Sequence, residues 1–363
     1  MTKRRLRTQG RGGRSLTIRE IAETCQVSTA TVSRVLNHPE RVRPETRRRV
    51  LGVIKGRHFV SDGLAGSLAS RRSRQIGVII PTIANSIYAS STQALKQVAQ
   101  RAGYTVVVGI SEYNRDHEDD LIHRFIERRV EGLVLTGGNR RIDTYDKIEA
   151  NEVPYVITWQ HSNGRGAPFV SLNNYSAAVT AVEHLLQLGH RRIGLICGES
   201  RVNDRALDRR RAYEDTLRRH DIDPDPQLIY ERAFEFEQGR EAMRRMLDLS
   251  VAPTAVFAAN DIQAVGAMYE CGEAGLAVPD DVSVIGFDNL PITECTRPQL
   301  TTVHVPSDEM GRRAGEILLG TISTGRPLKS ELLPTHLVVR GSTGAVRDGS
   351  SRSSPDTGSP TCG

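Results

Sequence analysis

The spacing of apolar residues changes character near residue 75. Before it, they recur every three or four positions; after it, short apolar runs alternate with amphipathic stretches. Ile18, Ile21 and Ala22 predict a short helix over 17–24. Cys25, Gln26 and Val27 turn the chain, and Ser28 is placed to cap a second helix. In that helix Val32, Val35 and Leu36 share an inward side. Thr29, Ala30, Ser33 and Arg34 lie opposite, and Pro39 ends the run. A third helix is predicted from Pro44 to about Lys55, with Val50, Val53 and Ile54 as its apolar side. Two helices joined by a tight turn and closed by a third form a helix-turn-helix head over 16–58.

Beyond residue 75 the runs 76–80, 104–109, 132–136, 155–159 and 169–174 read as buried strands with helical stretches between them. A second series follows at 191–197, 228–230, 254–260 and 282–288, again with helices interleaved. Regular βα alternation predicts parallel sheets with helices on both faces, and two series in tandem predict two α/β lobes.

Charge separates the two parts. Residues 1–75 hold 18 Lys and Arg against 5 Asp and Glu; the remainder holds 31 against 38. A basic head on a mildly acidic body marks the head as the polyanion-binding part. Small residues at the start of the second helix, with an arginine one turn on, suit a major groove. A small helical hairpin whose threonines face water is the plainer alternative. The run VSTATVSRVLN, close to the N-terminus, resembles the lactose/galactose-repressor family of bacterial transcription regulators, and the resemblance extends to about Gly341.

That resemblance implies a fold and a set of site residues. Ser28, Thr29, Ala30, Thr31, Ser33, Arg34 and Asn37 would face double-stranded operator DNA. Residues 59–74 would be a hinge, with Ala65 and Leu68 at the minor-groove positions; a plain flexible linker is the alternative. The body would be periplasmic-binding-protein-like, its lobes at about 75–172 with 301–330, and 173–300 with 331–341. The effector positions map to Asn85, Tyr88, Trp159, Asn173, Arg209, Phe234, Asn260 and Asp288, mostly at strand ends where open parallel sheets bind ligands. Each has a plainer reading. Arg209 belongs to an arginine triplet that suits a solvated face, Trp159 suits a core, and neighbouring Asp261 suits a helix cap. A homodimer is implied, with no leucine heptad in the Ser- and Gly-rich tail (342–363) to build anything larger. The basic arm (1–15) and that tail lack periodicity and are expected to be disordered. The effector expected is a sugar or sugar acid, and TWQHS around Trp159 resembles the gluconate-repressor branch.

Other chemistry finds little support. Five scattered cysteines have neither metal spacing nor a disulfide framework, and no metal or cofactor is expected. No run of transmembrane length or secretory signal is seen, so a cytoplasmic protein is expected. The histidines have no nucleophile nearby in sequence. The rivals are a sugar-binding protein without DNA function, against which the head argues, and an α/β enzyme, which needs a catalytic set not found.

Overall fold

The computed structural model describes residues 17–37, 39–56, 72–161, 165–326 and 329–346. The basic arm, the hinge positions Ala65 and Leu68, the Asn37 side chain and residues from 347 onward lie outside the described set. The chain divides into two units, Met1–Ser73 and Arg74–Gly363.

Among the described residues, the first unit contains three α-helices: α1 (Ile18–Thr24), α2 (Thr29–Asn37) and α3 (Pro44–Gly56). A capping box starts α1: the Thr17 hydroxyl accepts from the Glu20 amide, and the Glu20 carboxylate accepts from the Thr17 amide at 2.8 Å. Gln26, with φ of 49°, reverses the chain between α1 and α2. Ile21, Ala22, Cys25, Val32, Val35 and Val50 make the small core, as the helical spacing predicts.

The second unit contains two six-stranded sheets. The first holds β1 (Gln75–Ile80), β2 (Thr105–Ile110), β3 (Gly132–Thr136), β4 (Tyr155–Thr158), β5 (Phe169–Ser171) and β11 (Glu331–Leu332), in the order β11-β5-β4-β3-β1-β2. The second holds β6 (Ile193–Cys197), β7 (Ile229–Glu231), β8 (Ala255–Ala258), β9 (Ser283–Asp288), β10 (Thr301–His304) and β12 (His336–Val338), in the order β12-β10-β9-β8-β6-β7. Apolar runs without alternation fit strands covered on both faces. The pairing is parallel except at β12, which runs antiparallel to β10 at the sheet edge.

In the first lobe, α4 (Ser86–Arg101) and α11 (Ser307–Thr324) pack together on one face, with α5 (Arg115–Glu127) and α6 (Ile142–Ala150) also paired. In the second lobe the pairs are α7 (Asn174–Gln187) with α8 (Asp204–Arg219), and α9 (Phe236–Leu247) with α10 (Asp261–Glu273). One apolar cluster runs from the first sheet into the second, joining Ile76 and Val156 to Phe257 and Phe287.

Three expectations need correction. The strand 301–304 belongs to the second lobe, not the first, because β10 pairs with β9 and the Thr302 hydroxyl donates to Asp261 at 2.5 Å. The chain therefore crosses near 305 rather than 300. Residues 331–332 stay with the first sheet, so the last crossing falls at 333–335 rather than 330. Finally, 342–346 are not part of a loose tail. Ser342 is fully buried, its hydroxyl donates to the Val284 carbonyl at 2.6 Å, and the Val346 amide donates to the Leu188 carbonyl at 3.0 Å.

Candidate functional site

On the head, the Ser28 hydroxyl accepts from the Thr31 amide at 3.1 Å and so caps α2, as its sequence position suggests. Burying Val32 and Val35 turns the opposite side of the helix outward. Thr29, Ala30 and Arg34 are exposed there, while Thr31 and Ser33 are half-buried at its flank. Arg19, Arg43, Arg48, Arg49 and Lys55 are exposed on the same small domain. The surface offers a methyl, hydroxyls and guanidinium groups in a basic setting.

In the body, each sheet reverses its strand order beside its first strand, β1 or β6. Loops diverge at such a point and leave a crevice at the carboxyl ends of the strands. The two crevices face each other. Between them lies a narrow chamber lined by Asn85, Tyr88, Trp159, Arg209, Phe234, Asn260 and Asp288 among others. Seven of the eight effector positions read from the sequence thus meet in one place. Asn173 does not join them. It is exposed, and its carboxamide accepts from the Ser176 amide at 3.0 Å as the cap of α7. Its neighbour Asn174 lines the chamber instead and donates to the Trp159 carbonyl at 2.8 Å.

The first lobe supplies an aromatic wall. The Trp159 and Tyr88 rings meet edge to face at 5.3 Å between centroids. Trp159 has φ of 69°, Asp288 118° and Asn289 55°. Glu112 and Tyr113, after β2, also take left-handed values. Such conformations are costly away from glycine, and here they gather at strand ends around the cleft. Trp159 is at once a core and a wall residue, since it is 6% exposed.

The second lobe supplies charge. Arg209 is buried rather than on a solvated face, and its guanidinium stacks 4.6 Å from the Phe287 ring. Burial holds that guanidinium below its ordinary pKa, although Asp288 works the other way. Burial also pushes the Asp288 carboxyl up to about 7, against the pull of Arg209 and of Asn260, whose amide donates to it at 2.6 Å. The far end of the Phe234 ring packs against Gly198, where a methyl would overlap it. Asp261 is not the cap of α10; Asn260 is, accepting from the Ile262 amide at 2.9 Å. Asp261 instead ties β10 and the Leu290 amide to the helix.

Two lobe-to-lobe ties escaped the sequence. Asp204 accepts from the Gly138 amide at 2.6 Å and pairs with Arg205 at 2.6 Å. The Arg205 guanidinium fills the space above Gly137, which has φ of 78° and no room for a side chain. Gln160 donates to Asp208 at 3.0 Å. Burial opposes the charge on Asp204, but Arg205 and the Gly138 amide outweigh it and hold the carboxyl below its ordinary value. Buried His190 has structural partners: it bridges Thr254, Ser283 and the Gly344 carbonyl. Cys25, Cys197 and Cys271 are buried free thiols, and Cys295 is exposed. Among the described residues no His, Cys, Asp and Glu group has metal-site geometry, and no helix is long and apolar enough to cross a membrane.

A helix-turn-helix head beside a two-lobed, ligand-accepting body defines a DNA-binding transcriptional regulator. Residues 17–61 match the model for bacterial regulatory proteins of the lacI family, and residues 182–343 match that for a periplasmic binding protein-like domain. The HTH-type transcriptional repressor CytR of Escherichia coli K12 is 34% identical over 332 residues, covering 91% of this chain and 97% of that protein. The HTH-type transcriptional regulator GntR of Pseudomonas aeruginosa is 31% identical, covering 90% and 94%. The lac repressor dimer bound to operator and the anti-inducer ONPF superimposes with a TM-score of 0.80 at 28% identity, covering 92% of this chain and 100% of that one. The chain belongs to the lacI family of bacterial regulatory proteins. CytR matches at least as well as GntR, so the likeness does not single out the gluconate branch.

Proposed function

We propose that this protein is a cytoplasmic repressor that binds a near-palindromic operator as a homodimer and whose operator affinity is set by a sugar or sugar acid held between its lobes. The observation that carries this reading is the meeting of seven residues from two lobes in one chamber, in a chain that also presents a basic recognition helix. Asp288 accepts from ligand hydroxyls, Arg209 grips an oxygen pair, and the Trp159 and Tyr88 walls cover C–H faces. Phosphate contacts from the head supply most of the affinity for DNA, and Thr29, Ala30 and Arg34 supply register. Lobe closure acts on DNA through residues 59–74, with a coupling of about 1–3 kcal/mol.

A mobility shift with the gene's own upstream DNA tests the DNA side. Arg34→Ala is expected to cost about 1–3 kcal/mol of operator affinity and to relax preference at one position per half-site, because arginine bridges guanine O6 and N7. Unchanged affinity and selectivity would remove the assignment.

A further inference from the structure

Donors and acceptors in the cleft are unevenly matched. Asn85, Asn203 and Asn260 each cap a helix through the carboxamide oxygen, with backbone amides as donors. A backbone N–H can be satisfied only by that oxygen, so the orientation of each carboxamide is fixed. What each presents away from its helix is the NH₂ group, a pure donor. That of Asn260 is used by Asp288. That of Asn203 is buried and has no partner among the described residues, and the same holds for the Arg205 Nε. The Tyr113 hydroxyl is buried at the same place with only the Tyr88 hydroxyl beside it. Asn203 and Arg205 are 2% and 5% exposed.

These three groups belong to one junction. Tyr113 and Asn203 border the wide mouth of the cleft, Tyr113 and Arg205 share a narrower wall beside it, and Arg205 continues into the chamber with Arg209. Tyr113 reaches the junction through two successive left-handed residues, an unfavourable conformation that the loop nevertheless keeps. Native structures leave few buried donors unmatched, because each loses its hydration without return. Nearby Asp204 does not answer them. Its Oδ1 faces Arg205 and its Oδ2 the Gly138 amide.

We infer that this junction seats an anionic oxygen group, a carboxylate or a phosphate, carried by the ligand of the chamber. A hydroxyl both donates and accepts, so it would bring a proton of its own to a place that already has too many. Anionic oxygens only accept, and their bonds to Arg are the stronger kind. The inference rests on the cleft being the effector site, and it selects the acid over the neutral sugar.

The test uses the full-length protein, Trp159 emission as the readout and inorganic phosphate as the probe. Phosphate is expected to shift the emission saturably where chloride at equal ionic strength does not. Tyr113→Phe removes only a hydroxyl and is expected to weaken the phosphate response about tenfold. Arg205→Lys keeps the charge but moves the donor, and is expected to weaken it as well. A wild-type response that is absent, is equalled by chloride, or is undiminished in both variants would overturn the anionic seat. A neutral hexose that shifts emission and changes operator binding where phosphate does neither would discard the seat while keeping the effector site. An authenticated effector that changes operator binding without touching the Trp159 emission would remove the effector site itself.

Discussion

The two lobes have the same architecture and bring opposite chemistry to the cleft. The first presents Trp159, Tyr88 and the Asn85 carboxamide, with left-handed residues at Glu112, Tyr113 and Trp159. The second presents Arg205, Arg209 and Asp288, all buried. The difference shows how a two-lobed binder divides its work. One side is a wall that recognises shape at small electrostatic cost. The other holds charges that stay unfavourably buried until a ligand or the opposite lobe answers them. Asp204 is answered across the cleft by the Gly138 amide, whereas Arg209 remains below its ordinary pKa.

Removing the tie between the lobes should have the largest effect. Asp204→Ala leaves Arg205 buried without its partner, and the expected destabilisation is about 3–5 kcal/mol, read by denaturant unfolding. A change no larger than that of a surface substitution would mean that the lobes do not depend on this contact.

The Asp288 carboxyl gives a pH signature confined to the charged lobe. Its folded pKa, about 7, lies above the ordinary carboxylate value, so the folded state holds a proton that the unfolded state releases. The stability it contributes is fully present below the unfolded value near pH 4 and is lost as pH rises through about 7. Stability to thermal unfolding without ligand is therefore expected to weaken between about pH 5 and 8 in the wild type and less steeply in Asp288→Asn, where the buried Asp261 carboxyl, also raised by burial, still holds its proton. Equal slopes in the two proteins would show that this carboxyl ionises freely.

The smallest effect separates two adjacent asparagines. Asn173→Ala removes a helix cap and is expected to cost about 1 kcal/mol of stability while leaving ligand affinity unchanged. A matching loss of affinity would restore Asn173 to the site and remove the distinction from Asn174.

Strand ends and the head were legible because both follow from periodicity. Val32 and Val35 must face inward, which exposes Thr29, Ala30 and Arg34; a buried run such as VSVIGFD must deliver Asp288 to the end of a strand. What was missed depends on contacts between distant segments. Either of Asn173 and Asn174 fits a helix start, and only the Trp159 carbonyl decides which turns inward. The strand 301–304 would suit either sheet, and its hydrogen bonds to β9 assign it. Arg205 and Tyr113 gave no signal, since one looks like a surface arginine and the other reaches the cleft through loop geometry. Residues 342–346 look like a polar tail because their partners, Val284, Ser283 and Leu188, are remote in sequence.

Titration of Trp159 emission with an effector that alters operator binding, in the wild type and in Arg209→Ala, tests the central claim most directly. Trp159 is the only tryptophan in the chain and lies in the chamber wall, so its emission reports on that site. The wild type is expected to respond saturably. In Arg209→Ala the response should weaken by about 1.5–3 kcal/mol, roughly tenfold to more than a hundredfold, because a desolvated charge-assisted bond is lost. An unaltered titration in Arg209→Ala would contradict the account, because the effector would then bind without the charge around which the second lobe is built.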